Sequence, residues 1–253
     1  MIRQRDYWKQ LVRPGITALV GAGGKTTVLT KLVEYGEYSG QPLLVTTTTR
    51  LYETQVAQWN PFYGDDFNEA DHWCSQAIQR GRCSAWFSGI EGTKVQALTD
   101  RQIEAMAQVH PDWQILVEAD GAKEKWLKAP KKTEPVIPSL TATTIGVLNL
   151  QMLTKPLSPM YVHNLPEVCH LLEREEGAMM TPFLLARLVL HKEGLFQYSK
   201  GKKVLFCTGY NTVPLHYVEA FLDELQQADL EEIFLADGYK ASCEIRRRLL
   251  WKS

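Results

Sequence analysis

The chain has 253 residues, 45% hydrophobic and 23% charged, and its 28 Lys and Arg against 29 Asp and Glu leave a net charge of −1. That is the composition of a globular protein with a sizeable core. It has no overall basic bias toward nucleic acid or an anionic membrane surface, so any anion site must be local. The five cysteines, Cys74, Cys83, Cys169, Cys207 and Cys243, include no C-x-x-C pair, and their odd number and wide spacing suit neither a disulfide framework nor a zinc site. The first fifteen residues lack the apolar stretch of a signal peptide, and no run approaches the ~20 apolar residues of a membrane span, so a cytoplasmic, reducing setting is expected.

In chain order, apolar strand-like runs alternate with segments of helical period, the pattern of an α/β protein with a mainly parallel sheet. ITALVG (16–21) reads as a strand, KTTVLTKLVEYGEY (25–38) as a helix, PLLVTTTT (42–49) as a second strand and SAWFSG (84–89) as a third. LTDRQIEAMAQV (98–109) is a helix capped through Thr99, and WQILVEADG (113–121) a buried strand. KAPKKTEPVIPSL (128–140), rich in proline and lysine, predicts a long loop of the kind that is often functional.

TTIGVLNL (143–150) resumes the strands, and LPEVCHLLE (165–173) and TPFLLARLVL (181–190) predict two helices, the second with Thr181 as N-cap and Pro182 in its first turn. KKVLFCTGY (202–210) and EEIFLADGY (231–239) predict late strands, each followed by a helix, HYVEAFLDELQQ (216–227) and KASCEIRRRLL (240–250), with Arg246 to Arg248 at the C-terminus of the last. No repeat array or linker breaks the pattern. The expectation is a single domain over residues 1–253, with a helical insert at 151–200.

The stretch VGAGGKTTVLTKL (20–32) carries the chemistry. A strand that ends in a glycine loop and opens a helix aims backbone N–H groups and the positive end of the helix dipole at one point. The spacing G-x-x-x-x-G-K-[ST] fails, because Leu19 stands where its first glycine would be; the shorter G-x-x-G-K-T-T fits from Gly21 to Thr27. Gly21, Ala22, Gly23 and Gly24 would let phosphate approach, Lys25 would reach the β and γ phosphates, and the Thr26 hydroxyl would ligate Mg²⁺, with Thr27 completing the loop. A metal-bound phosphate also needs a carboxylate at the end of a nearby buried strand, and Glu118 and Asp120 supply two on one side of theirs, with Gly121 allowing close approach. Asp120 is the preferred metal ligand. Glu118 could share that duty or orient a water. TTTTR (46–50) ends the second strand where ligands sit in open α/β sheets, so Thr47, Thr48 and Thr49 are candidate contacts, although plain β-propensity accounts for the run about as well.

VGAGGKTT, VTTTTR, LVEADGAK and LKAPKKTEPVIP, in this order and at these separations, resemble the YqeC family, a bacterial family associated with selenium-dependent hydroxylases and selenium cofactor biosynthesis. VHNLPEV (162–168) and TPFLLARL (181–188) resemble its later part. The resemblance implies a three-layer αβα P-loop NTPase fold, akin to Mur ligases and cofactor-insertion NTPases. It further implies ATP and Mg²⁺ as cofactors, and a role in maturing a selenium-dependent molybdenum hydroxylase or its molybdopterin-type cofactor. By the same resemblance Lys25, Thr26, Thr27, Thr46 to Thr49, Glu118, Asp120, Gly121 and Lys123 carry over as site positions. Lys128, Pro130, Glu134, Pro135 and Pro138 match a block with no derived role. The chain departs from the pattern at Gly209, Tyr210 and Asn211, where an Asn-Lys-x-Asp element would read guanine, so ATP is preferred and GTP is the alternative. Val20 replaces the signature lysine of K-G-G-x-G-K-T-T loops.

The six histidines have no metal-ligand spacing, His163 being a weak site candidate, and the scattered aromatics form no stacking motif for nucleic acid. The KAPKK lysines could close over a phosphate or an anionic pterin, or simply form a solvated loop. Three functions stay open: a Mg²⁺-dependent NTPase or nucleotide-dependent transferase, a nucleotide-gated accessory protein with little catalysis, and a Mur-ligase-like ATP-dependent ligase.

Overall fold

A computed structural model describes residues 4–238 and 242–251. In chain order the elements are α1 (Gln4–Lys9), β1 (Gly15–Gly21), α2 (Lys25–Ser39), β2 (Leu43–Thr47), β3 (Leu51–Tyr52), α3 (Glu53–Val56), β4 (Pro61–Tyr63) and α4 (Phe67–Gln79). Then come β5 (Ser84–Phe87), β6 (Gly89–Glu91), β7 (Lys94–Gln96), α5 (Asp100–Val109), β8 (Gln114–Glu118), β9 (Leu127–Lys128), β10 (Thr141–Asn149) and β11 (Val162–His163). The last are α6 (Leu165–Leu172), α7 (Pro182–Leu190), β12 (Lys202–Thr208), α8 (Leu215–Glu224), β13 (Glu232–Asp237) and β14 (Glu244–Leu250).

One nine-stranded sheet, ordered β14-β13-β12-β10-β1-β8-β2-β5-β4, organises the molecule, and every neighbouring pair is parallel except β13 with β14. The two-residue period of β1 divides its side chains between the two faces of the sheet. Leu19 packs with Trp8 of α1 and with Val28, Leu29 and Leu32 of α2 on one face. Ile16 faces α4 and α5 through Ala70 and Met106, while Ala18 and Val20 face α6, α7 and α8 through Val168, Leu185 and Phe221. The fold is thus α/β, a large mainly parallel sheet with helices on both faces, as the alternating pattern predicts. Among the described residues no helix is long and apolar enough to cross a membrane.

Local signals hold where they were strong. Thr99 accepts a hydrogen bond from the Gln102 N–H and closes a capping box, and Thr181 accepts one from Leu184, with Pro182 opening α7. The expected last helix, by contrast, is a strand. Lys240 and Ala241 lie outside the described residues, and Glu244–Leu250 form β14, antiparallel to β13. The helix-forming Arg and Leu lose to tertiary pairing. Arg248 bonds Glu232 at 2.5 Å, Arg246 pairs with Asp237, and the Gln4 side chain bonds both backbone groups of Ile245. The arginines expected at a helix C-terminus instead blunt a sheet edge with charge. Sequence reading also left residues 51–82 without structure; they carry α3, β4 and α4, and β3 joins β6 and β7 in a small separate sheet.

Candidate functional site

β1 ends at Gly21 and α2 begins at Lys25, so the glycine loop spans three residues at the centre of the sheet. Gly21, Gly23 and Gly24 have φ of 93°, 77° and 141°, backbone that L side chains rarely adopt. Space is equally tight. A Cβ on Gly21 would lie 2.3 Å from the Val147 carbonyl oxygen, and one on Gly23 would lie 2.4 Å from the Asn149 Cβ and 2.7 Å from the Trp126 carbonyl oxygen. Neighbouring backbone fixes the loop: Ala22 N–H donates to Val147 O at 3.0 Å, and the buried Thr208 hydroxyl to Gly23 O at 2.6 Å. Gly24, as N-cap, offers α2 no side-chain acceptor, and no side-chain cap hydrogen bond is made there among the described residues.

The acids reach this loop because β8 lies beside β1, with Glu118 in register with Leu19. Lys25, buried at 4%, donates from Nζ to Gly21 O at 2.6 Å and lies 2.9 Å from Asp120 Oδ1 and 3.8 Å from Glu118 Oε1. Asp120 Oδ2 accepts the Gly21 N–H at 3.0 Å and a second ammonium, Lys128 Nζ, at 3.2 Å. Lys128 also donates to Gly121 O at 2.8 Å and Glu134 Oε2 at 3.0 Å. Three carboxylates and two ammoniums are therefore linked across one site, one positive charge short of balance.

The electrostatics follow from that count. Burial alone would lower the Lys25 pKa, but Asp120 and Glu118 outweigh it and hold the ammonium above its ordinary value. Burial pushes Glu118 up to about 7, with Lys25 pulling it down and Asp120 pushing it further up. Its Oε2 is buried without a hydrogen-bond partner among the described residues. An orphaned carboxylate oxygen in a site short of one positive charge is a place where a divalent cation would be stabilised. No group of three or more His, Cys, Asp and Glu side chains is placed to hold a metal among the described residues.

The structure thus brings together Gly21, Ala22, Gly23, Gly24, Lys25, Glu118, Asp120 and Gly121, while Thr26 and Thr27 occupy the first turn of α2. The threonine run is placed differently. Thr46 and Thr47 are buried and bond backbone, Trp86 O and Glu118 O, each at 2.7 Å, and Thr48 bonds Val136 O at 2.7 Å. Thr49 sits against Gly121, its hydroxyl 3.8 Å from where a Cβ there would be. These hydroxyls join β2 to the end of β8 and to the lysine-proline segment. Arg50 turns away to Glu91 at 2.7 Å.

Lys128 and Glu134 are the members that residue-level reasoning left without a role. Residues 121–140 form a strap rather than a solvated loop. Leu127, Lys128, Ala129 and Ile137 are buried in it, and its short β9 pairs in parallel with β11. The available signal was a lysine flanked by apolar Leu127 and Ala129, in the block that carries the most specific part of the resemblance.

Comparison with known proteins agrees with this layout. The family described as YqeC protein matches residues 17–166, a span that holds the glycine loop, the threonine run, both acids and the strap. A relative from Escherichia coli (strain K12), described as "Uncharacterized protein YqeC", is 31% identical over 228 residues, covering 89% of this chain and 88% of its own length. Matched over more than half its length by the family, and over nearly all of it by that relative, the chain belongs to the YqeC family.

Proposed function

We propose that the protein binds a nucleoside triphosphate with Mg²⁺ at residues 21–27, ATP in the first instance and GTP as the alternative, on a P-loop NTPase fold. It would use the nucleotide in maturing a selenium-dependent molybdenum hydroxylase or its cofactor. The observation that carries nucleotide binding is the buried Lys25 ammonium, at the start of α2, between Glu118 and Asp120. The maturation role rests on the resemblance of the motifs alone.

In this reading the magnesium-bound triphosphate supplies a transferable phosphoryl group. Lys25 leaves Gly21 O and neutralises charge on the β and γ phosphates, while the amides of residues 23–26 cradle them. Thr26 and Asp120 are the metal-facing groups. Glu118, with its raised pKa, holds or releases a proton near neutral pH. A second reading, a nucleotide-gated accessory protein, is favoured by one feature. Lys25 and Lys128 share Asp120, so drawing Lys25 toward phosphate changes the charge that holds the strap.

Thermal unfolding with ATP, GTP and CTP, each with Mg²⁺, tests the nucleotide, because a bound ligand raises apparent stability by mass action. A shift with ATP is expected. Equilibrium dialysis should show its binding reduced at least tenfold in Lys25→Ala. Unchanged affinity in that variant, or no shift with any nucleotide, overturns the assignment. Turnover strongly stimulated by an acceptor separates the enzyme from the gated accessory protein.

A further inference from the structure

Three successive residues of the glycine loop are tied to the ends of three different strands. Gly21 N–H donates to Asp120 Oδ2 just past β8 at 3.0 Å, Ala22 N–H donates to Val147 O of β10 at 3.0 Å, and Gly23 O accepts the Thr208 hydroxyl of β12 at 2.6 Å. The chain leaving β1 therefore leans across the end of its neighbour β10 to reach β12, the next strand out. Thr208 closes β12, is fully buried, and lies 185 positions from the residue it holds. A hydroxyl has one proton to give; Gly23 O takes it, and Leu148 O stands farther off at 3.5 Å.

The neighbouring peptide units are fixed by other means. Gly21 O accepts Lys25 Nζ at 2.6 Å while the Ala22 N–H of the same unit goes to Val147, and Gly24 O accepts the Val28 N–H of α2 at 2.9 Å. The unit between Gly23 and Gly24 is held by Thr208 alone among the described residues. Flanked by two glycines, it has no Cβ on either side to resist its rotation. Local sterics thus leave its orientation open, and one side-chain hydroxyl sets it.

That orientation has a chemical consequence. The unit is trans, so its carbonyl and its N–H point in opposite directions. With Gly23 O turned to β12, Gly24 N–H points away from that strand. The N–H groups of Gly23, Gly24, Lys25 and Thr26 have no acceptor among the described residues. A flip of the unit would put a carbonyl oxygen among these donors, and an anion bound there would lose a hydrogen bond and meet a repulsion.

We propose that Thr208 is a positioning residue of the glycine loop, whose hydroxyl holds the Gly23–Gly24 peptide so that Gly24 N–H faces the bound phosphate. The phosphate rests on the proposed nucleotide function; the hold of Thr208 on Gly23 does not. Thr208 acts through the loop backbone and not on the nucleotide.

Gly23–Gly24 is the one Gly-Gly step in the sequence, so glycine carrying a ¹³C carbonyl and ¹⁵N yields a single doubly labelled peptide to follow by NMR in the full chain. With Mg²⁺ and a non-hydrolysable ATP analogue, the Gly24 amide proton should move downfield as its hydrogen bond to phosphate forms. Thr208→Val keeps the side-chain size and removes the hydroxyl. In that variant the Gly23 carbonyl resonance of the free protein should move upfield, the Gly24 response should be lost, and the Kd for the analogue should rise about tenfold. Thr208→Ser restores the hydroxyl, so the Gly24 response and the affinity of the parent should return, whatever either variant does to thermal stability. A Gly24 amide that stays in place while the parent binds the analogue overturns the proposal, as does equal affinity of parent and valine variant, or equal weakening of the valine and serine variants. If Thr208→Val does not fold, the Gly24 response in the parent and in Thr208→Ser decides: a shift in both supports the proposal, and its absence in either overturns it. A parent that binds no analogue overturns the nucleotide reading and this proposal with it, whereas every other failure leaves that reading standing.

Discussion

The glycine loop and the strap meet at Asp120, but they hold charge there by different means. At residues 21–27 the positions come from backbone: glycine dihedrals, a strand end and a helix start place Lys25, and two hydrogen bonds and two close contacts with β10 and β12 fix the loop. At residues 121–140 the pieces of regular structure are short, and a buried lysine joined to Asp120, Glu134 and Gly121 O takes the place of a ladder. The first device is local and cheap to specify. The second depends on every partner being present, because a buried ion pair that loses one member leaves an uncompensated charge.

Lys128→Met breaks that comparison most severely. It removes one of the two ammoniums on Asp120 and the one on Glu134, and should cost about 3–5 kcal/mol in denaturant unfolding. A loss below about 1 kcal/mol would mean that apolar packing, not the lysine, holds the strap. Gly21→Ala attacks the other region, where its Cβ would meet Val147 O at 2.3 Å and the residue would keep φ near 93°, so about 2–3 kcal/mol is expected. If the alanine variant were as stable as the parent, the loop would not be held by backbone crowding.

Glu118→Gln sharpens the comparison with the smallest effect, a change of slope. The folded-state pKa of Glu118, about 7, lies above its ordinary 4.5, so the native chain binds more protons than the unfolded chain between those values. Its contribution to stability is full below pH 4.5 and is lost as pH rises toward about 7. The free protein with Gln at 118 should lose stability less steeply across that window. Parallel curves would show that Glu118 is ionised throughout and that the site balances its charge elsewhere.

The two regions also differ in how far they could be read in advance. The loop was legible because a strand, glycines, lysine and threonines follow one another in the chain and each has a local physical meaning. The strap was not, because a buried lysine looks like any other lysine in a run of lysines and prolines until its partners, Asp120 and Glu134, are brought to it. The threonine run shows an intermediate case. Its place at a strand end was read correctly, whereas the hydroxyls bond Glu118 O and Val136 O, targets set by β8 and the strap. Residues 240–250 show the reverse error, a plausible helical pattern taken over by the free edge of β13.

Sequence by itself determined the alternation of strands and helices, the caps at Thr99 and Thr181, the glycine loop with its lysine, and the placing of two acids at one strand end. Dihedral preference, side-chain period and capping all act over a few residues. Only tertiary structure decided that β8 lies next to β1, so that Lys25 meets Asp120 at 2.9 Å, that Lys128 is buried against the same carboxylate, and that the last segment is a strand. Those outcomes depend on partners about 100 residues apart in the first case and on a sheet edge in the last, and the energy of a buried charge is set by what surrounds it rather than by what adjoins it in the chain.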